Sequence, residues 1–341
     1  MPHFKTPDQT IRELETLYRA GYRGQIDFVD DNFIGNKKAA KALLHRILAW
    51  SEEHGWPFFF STEATITLGA DPEMLDLMRR CDFRMIFVGI ETPDPALLRQ
   101  TQKKQNTLRP IADSIKKINE SGMMVLAGFI LGFDDEKAGA GQALAACVQE
   151  TRIGVAMTGL LTSLPNTQLE RRLIRAGRQM ARPLGAEARP EEIDQATGGL
   201  NFRTKRSRIE ILKEFRAALL SIYDPKSYFS RFRGFLQWYK GYPRSRGMSI
   251  RRMLTGFCNL NLRYLTRPKL WLQYIRTMIA GLRHSGIGFA RAGLMSVFYL
   301  HLERQTNHVV KELDKQIREL ETHGEEAYLR RRESFVLPAK V

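Results

Sequence analysis

Cysteine is scarce in this sequence, and the three cysteines that it has stand far apart. Cys81, Cys147 and Cys258 are separated by 66 and 111 residues. Zinc sites and iron–sulfur clusters take their cysteines at short, regular spacings, and disulfide-rich domains need more of them. The sequence therefore has no metal-binding cysteine motif and no disulfide framework, and we expect a reducing, cytoplasmic setting.

Long apolar runs are missing as well. A membrane-spanning helix needs about 20 predominantly apolar residues, and the best candidate, Thr277–Leu300, is interrupted by Arg283, His284 and Arg291. The first residues contain no apolar segment like that of a signal peptide. We expect no helix that crosses a membrane, and we expect any membrane contact to be peripheral, at the inner face.

Several signatures of common enzyme classes are absent too. The sequence contains no P-loop, no GxGxxG fingerprint, no HExxH motif and no nucleophile elbow. These absences exclude the familiar nucleotide-binding loops, the HExxH zinc proteases and the α/β-hydrolases.

Acidic residues are absent from one long stretch of the second half. Residues 1–200 carry 25 basic and 26 acidic side chains, whereas residues 201–341 carry 28 and 11. Pro225–Leu302 holds 14 Lys or Arg, 14 aromatic residues and no Asp or Glu. Such a stretch can lie on an anionic membrane, bind nucleic acid, or form a helical core covered by arginine stems. The composition leaves these three interpretations open.

Five apolar runs, separated by segments of helical periodicity, occupy the first half. Repeated strand–helix units predict parallel strands joined by right-handed crossovers, and parallel barrels place their chemistry at the carboxyl ends of the strands. Four runs end there in a polar or acidic cluster. The runs are Gln25–Asn32, Phe58–Glu63, Met85–Glu91, Met124–Glu136 and Gly154–Pro165.

These patterns predict an α/β fold, with a partial, open parallel β/α barrel of about five strands and a mainly helical C-terminal domain. We place the barrel at residues 1–182, a linker at 183–205 and the basic helical extension at 206–341. Helical periodicity in the extension covers Ile209–Tyr223, Ile250–Tyr264, Leu270–Leu282 and Leu302–Thr322.

Four segments in a fixed order resemble the core of a radical S-adenosylmethionine enzyme. They are GYRGQIDFVDDNFIGNKK, FSTEATITL, IFVGIETPDPALL and GFILGFDDE, and the resemblance covers residues 4–200 well and the remainder more loosely. The similar subgroup carries a cobalamin-binding domain upstream and a helical C-terminal extension, and it includes hopanoid-type lipid methylases. For the complete protein the resemblance implies S-adenosylmethionine, a 4Fe–4S cluster and cobalamin, with a lipid or other hydrophobic substrate.

Asp30, Asp31 and Asn32 follow the first strand, where the resembled family receives the amino group of S-adenosylmethionine. Carboxylate and amide oxygens suit an ammonium group, because charge-assisted hydrogen bonds are strong. The competing interpretation is that these residues only cap the helix that begins near Gly35 and Asn36.

Two glutamates end the next two strands. The resemblance makes Glu63 and Glu91 contacts to the cofactor or the substrate. Each also has a simpler interpretation, since Glu63 can be a surface carboxylate and Glu91 can stabilise a helix N-terminus.

Three glycines and one loop complete the candidate cofactor site. Gly89 allows close backbone approach, and Gly128 and Gly132 resemble the strand glycines that lie against adenine in the family. A strand glycine is otherwise typical of a bulge or of tight packing. Leu164 and Pro165 resemble the family's last loop on the cofactor side.

One element of the resembled family is missing. The family binds its cluster through a CxxxCxxC loop after the first barrel strand, and this sequence, which begins MPHFKTPDQ, has no such loop. We therefore interpret the chain as a truncated core without its N-terminal domain, inactive alone. In complete form it would cleave S-adenosylmethionine reductively and functionalise an unactivated carbon, with methylation as one outcome. The alternative is a non-catalytic fragment that binds a membrane, or less favourably nucleic acid, through residues 225–302.

Overall fold

One parallel β-sheet organises the protein, seen in a computed structural model that describes residues 5–100, 110–180, 194–239 and 250–333. Five strands pair in chain order, and every pair is parallel. The predicted α/β fold with an open, partial barrel is confirmed. The strands are β1 (Gly24–Phe28), β2 (Phe58–Glu63), β3 (Phe83–Glu91), β4 (Met124–Leu131) and β5 (Val155–Leu160).

Helices alternate with these strands, and local sequence signals fix where several of them begin. Thr6 and Gln9 form a reciprocal capping box at the first helix, with Gln9 Oε1 accepting from the Thr6 amide at 2.8 Å. Asn36 and Asp71 cap the next two helices through their side-chain oxygens. The helices of this half are α1 (Pro7–Arg19), α2 (Lys37–Glu53), α3 (Pro72–Arg80), α4 (Pro95–Gln100), α5 (Ile111–Glu120), α6 (Ala140–Glu150) and α7 (Gln168–Arg175).

The sheet has one packed face and one open face. On the packed face, the rings of Phe28, Phe60 and Phe83 lie 5.3–5.8 Å apart between centroids. Alternate residues of a strand point to opposite sides, so the intervening side chains form the other surface, which we call the open face. Its members include Gln25, Asp27, Ser61, Glu63, Phe87, Gly89, Glu91, Leu126, Gly128, Ile130 and Met157.

The second half is helical, as predicted, but its elements are longer than their periodicity indicated. The last predicted helix begins at Gly286 instead of Leu302 and runs for 38 residues. Gly288 and Gly293 lower the helix propensity of its first part, but they do not end the helix. The helices are α8 (Arg208–Ile222), α9 (Pro225–Trp238), α10 (Ile250–Leu265), α11 (Pro268–His284), α12 (Gly286–His323) and α13 (Glu325–Glu333). Among the described residues, none of these helices is long and apolar enough to span a bilayer.

Two buried arginines tie the helical half to the sheet region through backbone carbonyls. Arg208 donates to the carbonyls of Leu200 and Phe202 at 2.9 and 2.5 Å. Arg231 donates through Nε to the carbonyl of Ile153 at 2.8 Å, and burial lowers its pKa. Hydrogen bonds to carbonyls offset part of the cost of burying a charge, so the two halves share one interior.

The predicted linker is only partly described, since residues 183–193 lie outside the described ranges. Its remaining residues pack against the end of β5, where the Leu160 amide donates to Gln195 O at 3.0 Å and the Leu200 amide donates to Leu161 O at 2.8 Å. This segment therefore continues the edge of the sheet. The domain limits at 182 and 206 stay a prediction.

Candidate functional site

Three carboxylates gather at the open face of β1 and β2. Ser61 donates to Asp27 Oδ1 at 2.6 Å and accepts from Gln25 Nε2 at 2.9 Å. Burial, together with the negative charges of Asp31 and Asp27, raises the pKa of Glu63. We call Asp27, Asp31 and Glu63 the acidic corner. Its concentrated negative charge favours a cation, and an ammonium group can donate its three N–H groups to several of these oxygens at once.

Helix capping does not account for Asp30 and Asp31. The cap of α2 is Asn36, whose Oδ1 accepts from the Ala39 amide at 3.1 Å. Asn32 holds the loop in a different way, because its Oδ1 accepts from the Thr65 amide at 3.2 Å. The side chains of Asp30 and Asp31 are exposed beyond the end of β1, where a ligand can reach them.

The end of β3 is irregular. The register to β4 shifts between Gly89 and Glu91, and Glu91 has a φ of +70°. Left-handed backbone in a residue other than glycine carries strain, and such strain concentrates at ligand sites. Glu91 is therefore held at the strand end by the surrounding structure and not by its own preference.

The two glycines of β4 are packed against other parts of the chain. A Cβ on Gly128 would lie 2.9 Å from Cζ of Phe87, so the Phe87 ring takes the space over this glycine. A Cβ on Gly132, whose φ is +103°, would lie 2.6 Å from Cδ2 of Leu200. A flat ligand over Gly128 would therefore have to move or stack on Phe87.

A cavity of about 740 Å³ lies over the open face of β3, β4 and β5. Gly89, Glu91 and Gly128 line its sheet side, together with the exposed side chain of Met157. Asp194–Ala196, α8 and α12 form the other sides. Pockets of this size accept a ligand of several rings.

The helical wall of the cavity was not found from the sequence. Tyr223 of α8 and a stripe of α12 at helical spacing supply it, and the stripe consists of Phe298, His301, Leu302, Gln305, Thr306 and Val309. His301 is exposed on α12 and also lines this cavity. The spacing of these residues was a usable signal, but the same pattern is typical of any core-facing helix.

The remaining predicted residues lie outside this cavity. Asp30, Asp31, Asn32 and Glu63 belong to the β1–β2 end of the sheet, and Gly132 contacts Leu200. Leu164 and Pro165 are exposed in the loop before α7, and the cap of that helix is Thr167. The structure thus brings three predicted residues into one cavity and leaves the others at the neighbouring edge of the sheet.

A buried ionic cluster fastens the loop after β4 to α8. Glu136 Oε2 accepts from the Gly132 amide at 2.8 Å and lies 3.4 Å from Arg206, while its other oxygen has no partner among the described residues. Burial raises the pKa of Glu136 to about 7. Arg206 also donates to Glu214 at 2.6 Å, and Glu214 accepts from the Gly139 amide at 3.1 Å. The cluster fixes the loop that carries Gly132.

The cysteines do not meet. Cys81 is buried and donates through Sγ to the Leu44 carbonyl at 3.1 Å, Cys147 lies on α6, and Cys258 is exposed on α10. Burial raises the pKa of the Cys147 thiol to about 11, which disfavours the thiolate that binds iron. In the described part of the chain, no group of three His, Cys, Asp or Glu could hold a metal. These residues do not fit a 4Fe–4S cluster.

Two family patterns match this chain. The radical SAM superfamily matches residues 1–142, which include β1–β4, and a domain of unknown function, DUF4070, matches residues 167–315, which include α7 and most of the helical half. The cavity lies between residues of the two matched segments.

Curated relatives of this chain are methyltransferases. The uncharacterized methyltransferase sll1242 of Synechocystis sp. is 43% identical over 237 residues, which cover 69% of this chain and 43% of that protein. The hopanoid C-2 methylase of Rhodopseudomonas palustris is 42% identical over 177 residues, which cover 52% and 34%. The bacteriochlorophyllide d C-12(1)-methyltransferase of Chlorobaculum tepidum is 27% identical over 96 residues, 28% and 21%. The chain spans less than half the length of these relatives.

Among solved structures, the cobalamin-dependent S-adenosylmethionine radical enzyme OxsB is similar to this chain. The similarity covers 96% of this chain and 54% of that chain, with 12% identity and a TM-score of 0.45. A similarity at this level supports no inference about the site.

Proposed function

We propose that this chain, whose residues 1–142 match the radical SAM superfamily, binds S-adenosylmethionine and holds a hydrophobic substrate for methylation at carbon. The matched superfamily segment and the methyltransferase relatives support the reaction class. S-adenosylmethionine supplies the reactive group when it is bound. The activity of the whole protein is part of the proposal, because the chain spans less than half the length of its relatives.

The cavity over β3–β5 is the observation that carries this proposal. Its sides combine apolar side chains, such as Met157, Phe298 and Val309, with the polar groups of Glu91 and His301. An apolar pocket with a few polar groups selects a mainly hydrophobic ligand and fixes its orientation. A polycyclic lipid with one polar substituent, such as a hopanoid, matches this chemistry and size.

The acidic corner is the proposed site for the charged end of the cofactor. Asp31 and Glu63 would accept hydrogen bonds from the amino group of S-adenosylmethionine, and Glu91 at the neighbouring strand end would hold its polar groups nearer the cavity. These strand ends lie along one edge of the parallel sheet, so a cofactor there reaches the cavity. No step of the proposal passes through a cluster held by this chain, because its cysteines do not meet.

A pair of tryptophan variants tests the substrate site. Met157 and Leu164 are both exposed, at 58% and 46%, but only Met157 lines the cavity. We expect Met157→Trp to weaken equilibrium binding of a radiolabelled hopanoid about tenfold or more by filling the cavity, and Leu164→Trp to leave it unchanged. Equal affinities in the two variants and the wild type would remove the cavity from the proposal.

A second candidate is a non-catalytic module that binds lipid through the basic extension. The scattered cysteines and the excess of basic residues after residue 200 favour it. Titration calorimetry with S-adenosylmethionine separates the two candidates, since only the first requires this cofactor to bind. Both candidates place the chain in the cytoplasm, in peripheral contact with the membrane.

A further inference from the structure

Exposed apolar side chains concentrate in α10, α11 and the start of α12. Leu262 and Leu282 are each 64% exposed, although both belong to regular helices. We call these apolar residues, together with Arg263, Arg276 and Arg283, the apolar–basic surface. Its apolar members are Phe257, Leu262, Leu265, Leu272, Ile279, Leu282, Leu294 and Val297. Several large apolar side chains exposed on neighbouring helices are typical of an interaction site.

The same helices carry only positive charge. Residues 250–302 contain eight Lys or Arg and no Asp or Glu. On α11, Leu272, Arg276, Ile279 and Arg283 recur at spacings of four, three and four, so leucine, isoleucine and arginine share one exposed stripe. The opposite stripe of α11, which includes Tyr274 and Met278, is buried. This alternation of aliphatic and cationic groups is that of a helix lying in a membrane interface.

The composition of the surface decides between partners. Seven of its eight apolar members are aliphatic, and Phe257 is the exception. Single-stranded nucleic acid is bound by stacking bases on aromatic rings, and among its apolar members this surface offers only Phe257. A second copy of the chain would bring two sets of like charges together across a symmetric contact. Acyl chains and anionic headgroups complement both the aliphatic and the cationic groups.

We propose that the apolar–basic surface docks on an anionic lipid bilayer. Its aliphatic side chains enter the acyl boundary, while Arg263, Arg276 and Arg283 extend their charged ends to the headgroups. The docking holds independently of the proposed methylation.

The surface also leads toward the cavity. A second hollow, of about 280 Å³, lies between α10 and α12 and is lined by Leu260, Arg263, Val297 and Leu300. His301 lines both this hollow and the cavity over β3–β5. Docking would therefore place the α12 wall of the cavity next to the bilayer, and a lipid substrate could enter there. This route, unlike the docking, rests on the proposed function.

Vesicle flotation tests the docking. We expect the wild type to float with vesicles of phosphatidylcholine and phosphatidylglycerol at low salt, and to bind pure phosphatidylcholine at least tenfold more weakly. Each Lys or Arg near an anionic surface contributes on the order of 1 kcal/mol, so Arg276→Glu with Arg283→Glu should weaken binding by more than about tenfold. Salt should weaken the attraction without abolishing it, because the aliphatic contribution is not screened.

Matched variants separate the two contributions. The triple change Leu272→Gln, Ile279→Gln and Leu282→Gln should remove the salt-resistant part of binding. Exposed apolar and basic residues of the other half serve as controls. The control variants Val29→Gln with Ile174→Gln, and Arg12→Glu with Lys38→Glu, should bind as the wild type does. Circular dichroism checks that each variant is folded.

Hydrogen exchange on the wild type provides a measurement that no variant can confound. Anionic vesicles should protect amides of α10 and α11 and leave those of β1–β5 unchanged. The proposal is overturned if the wild type ignores anionic vesicles at low salt. Vesicle binding that neither the arginine variant nor the aliphatic variant weakens also overturns it. So does RNA binding with a steep salt dependence in place of vesicle binding. A dimer that the aliphatic variant dissociates would likewise assign the surface to a second copy of the chain.

Discussion

The two ends of the open face differ in what covers them. At β1 and β2 the side chains are carboxylates, and Glu63 is exposed, whereas over β3–β5 the sheet is covered by α8 and α12. The first end is acidic and open, and the second is mostly apolar and partly enclosed. One parallel sheet therefore offers two neighbouring environments of opposite polarity.

This difference shows what the helical half contributes. The strands pair with one another, whereas the wall of the cavity that includes Phe298 and Val309 comes from α12. The sheet provides the polar strand ends, and the extension converts one part of them into an apolar pocket. A cofactor with a charged end and a hydrophobic substrate could then lie side by side.

The largest effect expected concerns Glu136, whose buried carboxyl group accepts a hydrogen bond from the Gly132 amide in the loop after β4. Its pKa is raised from 4.5 to about 7 by burial, so ionisation disfavours the folded state. Stability from the neutral carboxyl is full below about pH 4.5 and is lost as the pH rises to about 7. Glu136→Gln retains an acceptor for the Gly132 amide but cannot ionise. We expect its free energy of unfolding, relative to that of the wild type, to be about 3 kcal/mol higher at pH 8 than at pH 4.

Urea unfolding at both pH values measures this difference. Asp134 is the control with the opposite sign, because its ion pair with Arg178 lowers its pKa. Asp134→Asn should lose stability at neutral pH, and the deficit should vanish as the pH falls below the normal pKa of an aspartate. Parallel pH profiles for Glu136→Gln and the wild type would contradict the burial of an uncompensated carboxyl.

The next effect concerns the acidic corner. Asp31→Asn and Glu63→Gln should each weaken S-adenosylmethionine binding about ten- to a hundredfold, since a charged hydrogen bond is worth roughly 1.5–3 kcal/mol. Because the pKa of Glu63 is raised, affinity should increase with pH through the acid range, and Glu63→Gln should abolish that increase. Titration calorimetry measures both, with the exposed Asp76→Asn as control. Wild-type affinity in both variants would assign the cofactor to another place.

The smallest effect concerns the junction between the two environments. In Gly128→Ala the new Cβ would lie 2.9 Å from Cζ of Phe87, and the ring must shift into the cavity. Overpacking of this kind costs about 1 kcal/mol when the neighbour can move. Gly293→Ala in α12 meets nothing within 4 Å and should instead stabilise by about 0.5–1 kcal/mol. Thermal unfolding distinguishes the two signs, and a stabilising Gly128→Ala would show that Phe87 does not pack there.

The strand ends could be predicted from the sequence because each strand is a short apolar run with a polar end. Helix caps are equally local, because the side chains of Asn36 and Asp71 accept from amides three residues further along the chain. The cavity wall could not be predicted, because the face that a helix presents depends on the elements around it. The buried side of α12 shows the limit, since Val309 is buried and the neighbouring valine, Val310, is only half-buried.

The surroundings of the strand ends could not be predicted from the sequence either. Five strand ends were expected along one rim, yet Glu63 and Glu91 face different surroundings. Sequence order gives the neighbours of a strand but not which part of its face a distant helix covers. That depends on residues about 150 positions apart in the chain, such as Met157 and Val309, which line the same cavity.

The length of α12 sets a rule for insertions and deletions. At 1.5 Å per residue its 38 residues measure about 57 Å. This one unbroken helix carries part of the apolar–basic surface, one wall of the cavity, and the buried residues Leu313, Ile317 and Leu320. One inserted residue would turn everything beyond it by about 100°. Length changes inside α12 would therefore have to come in steps of about seven residues, two turns, to keep all three surfaces in phase.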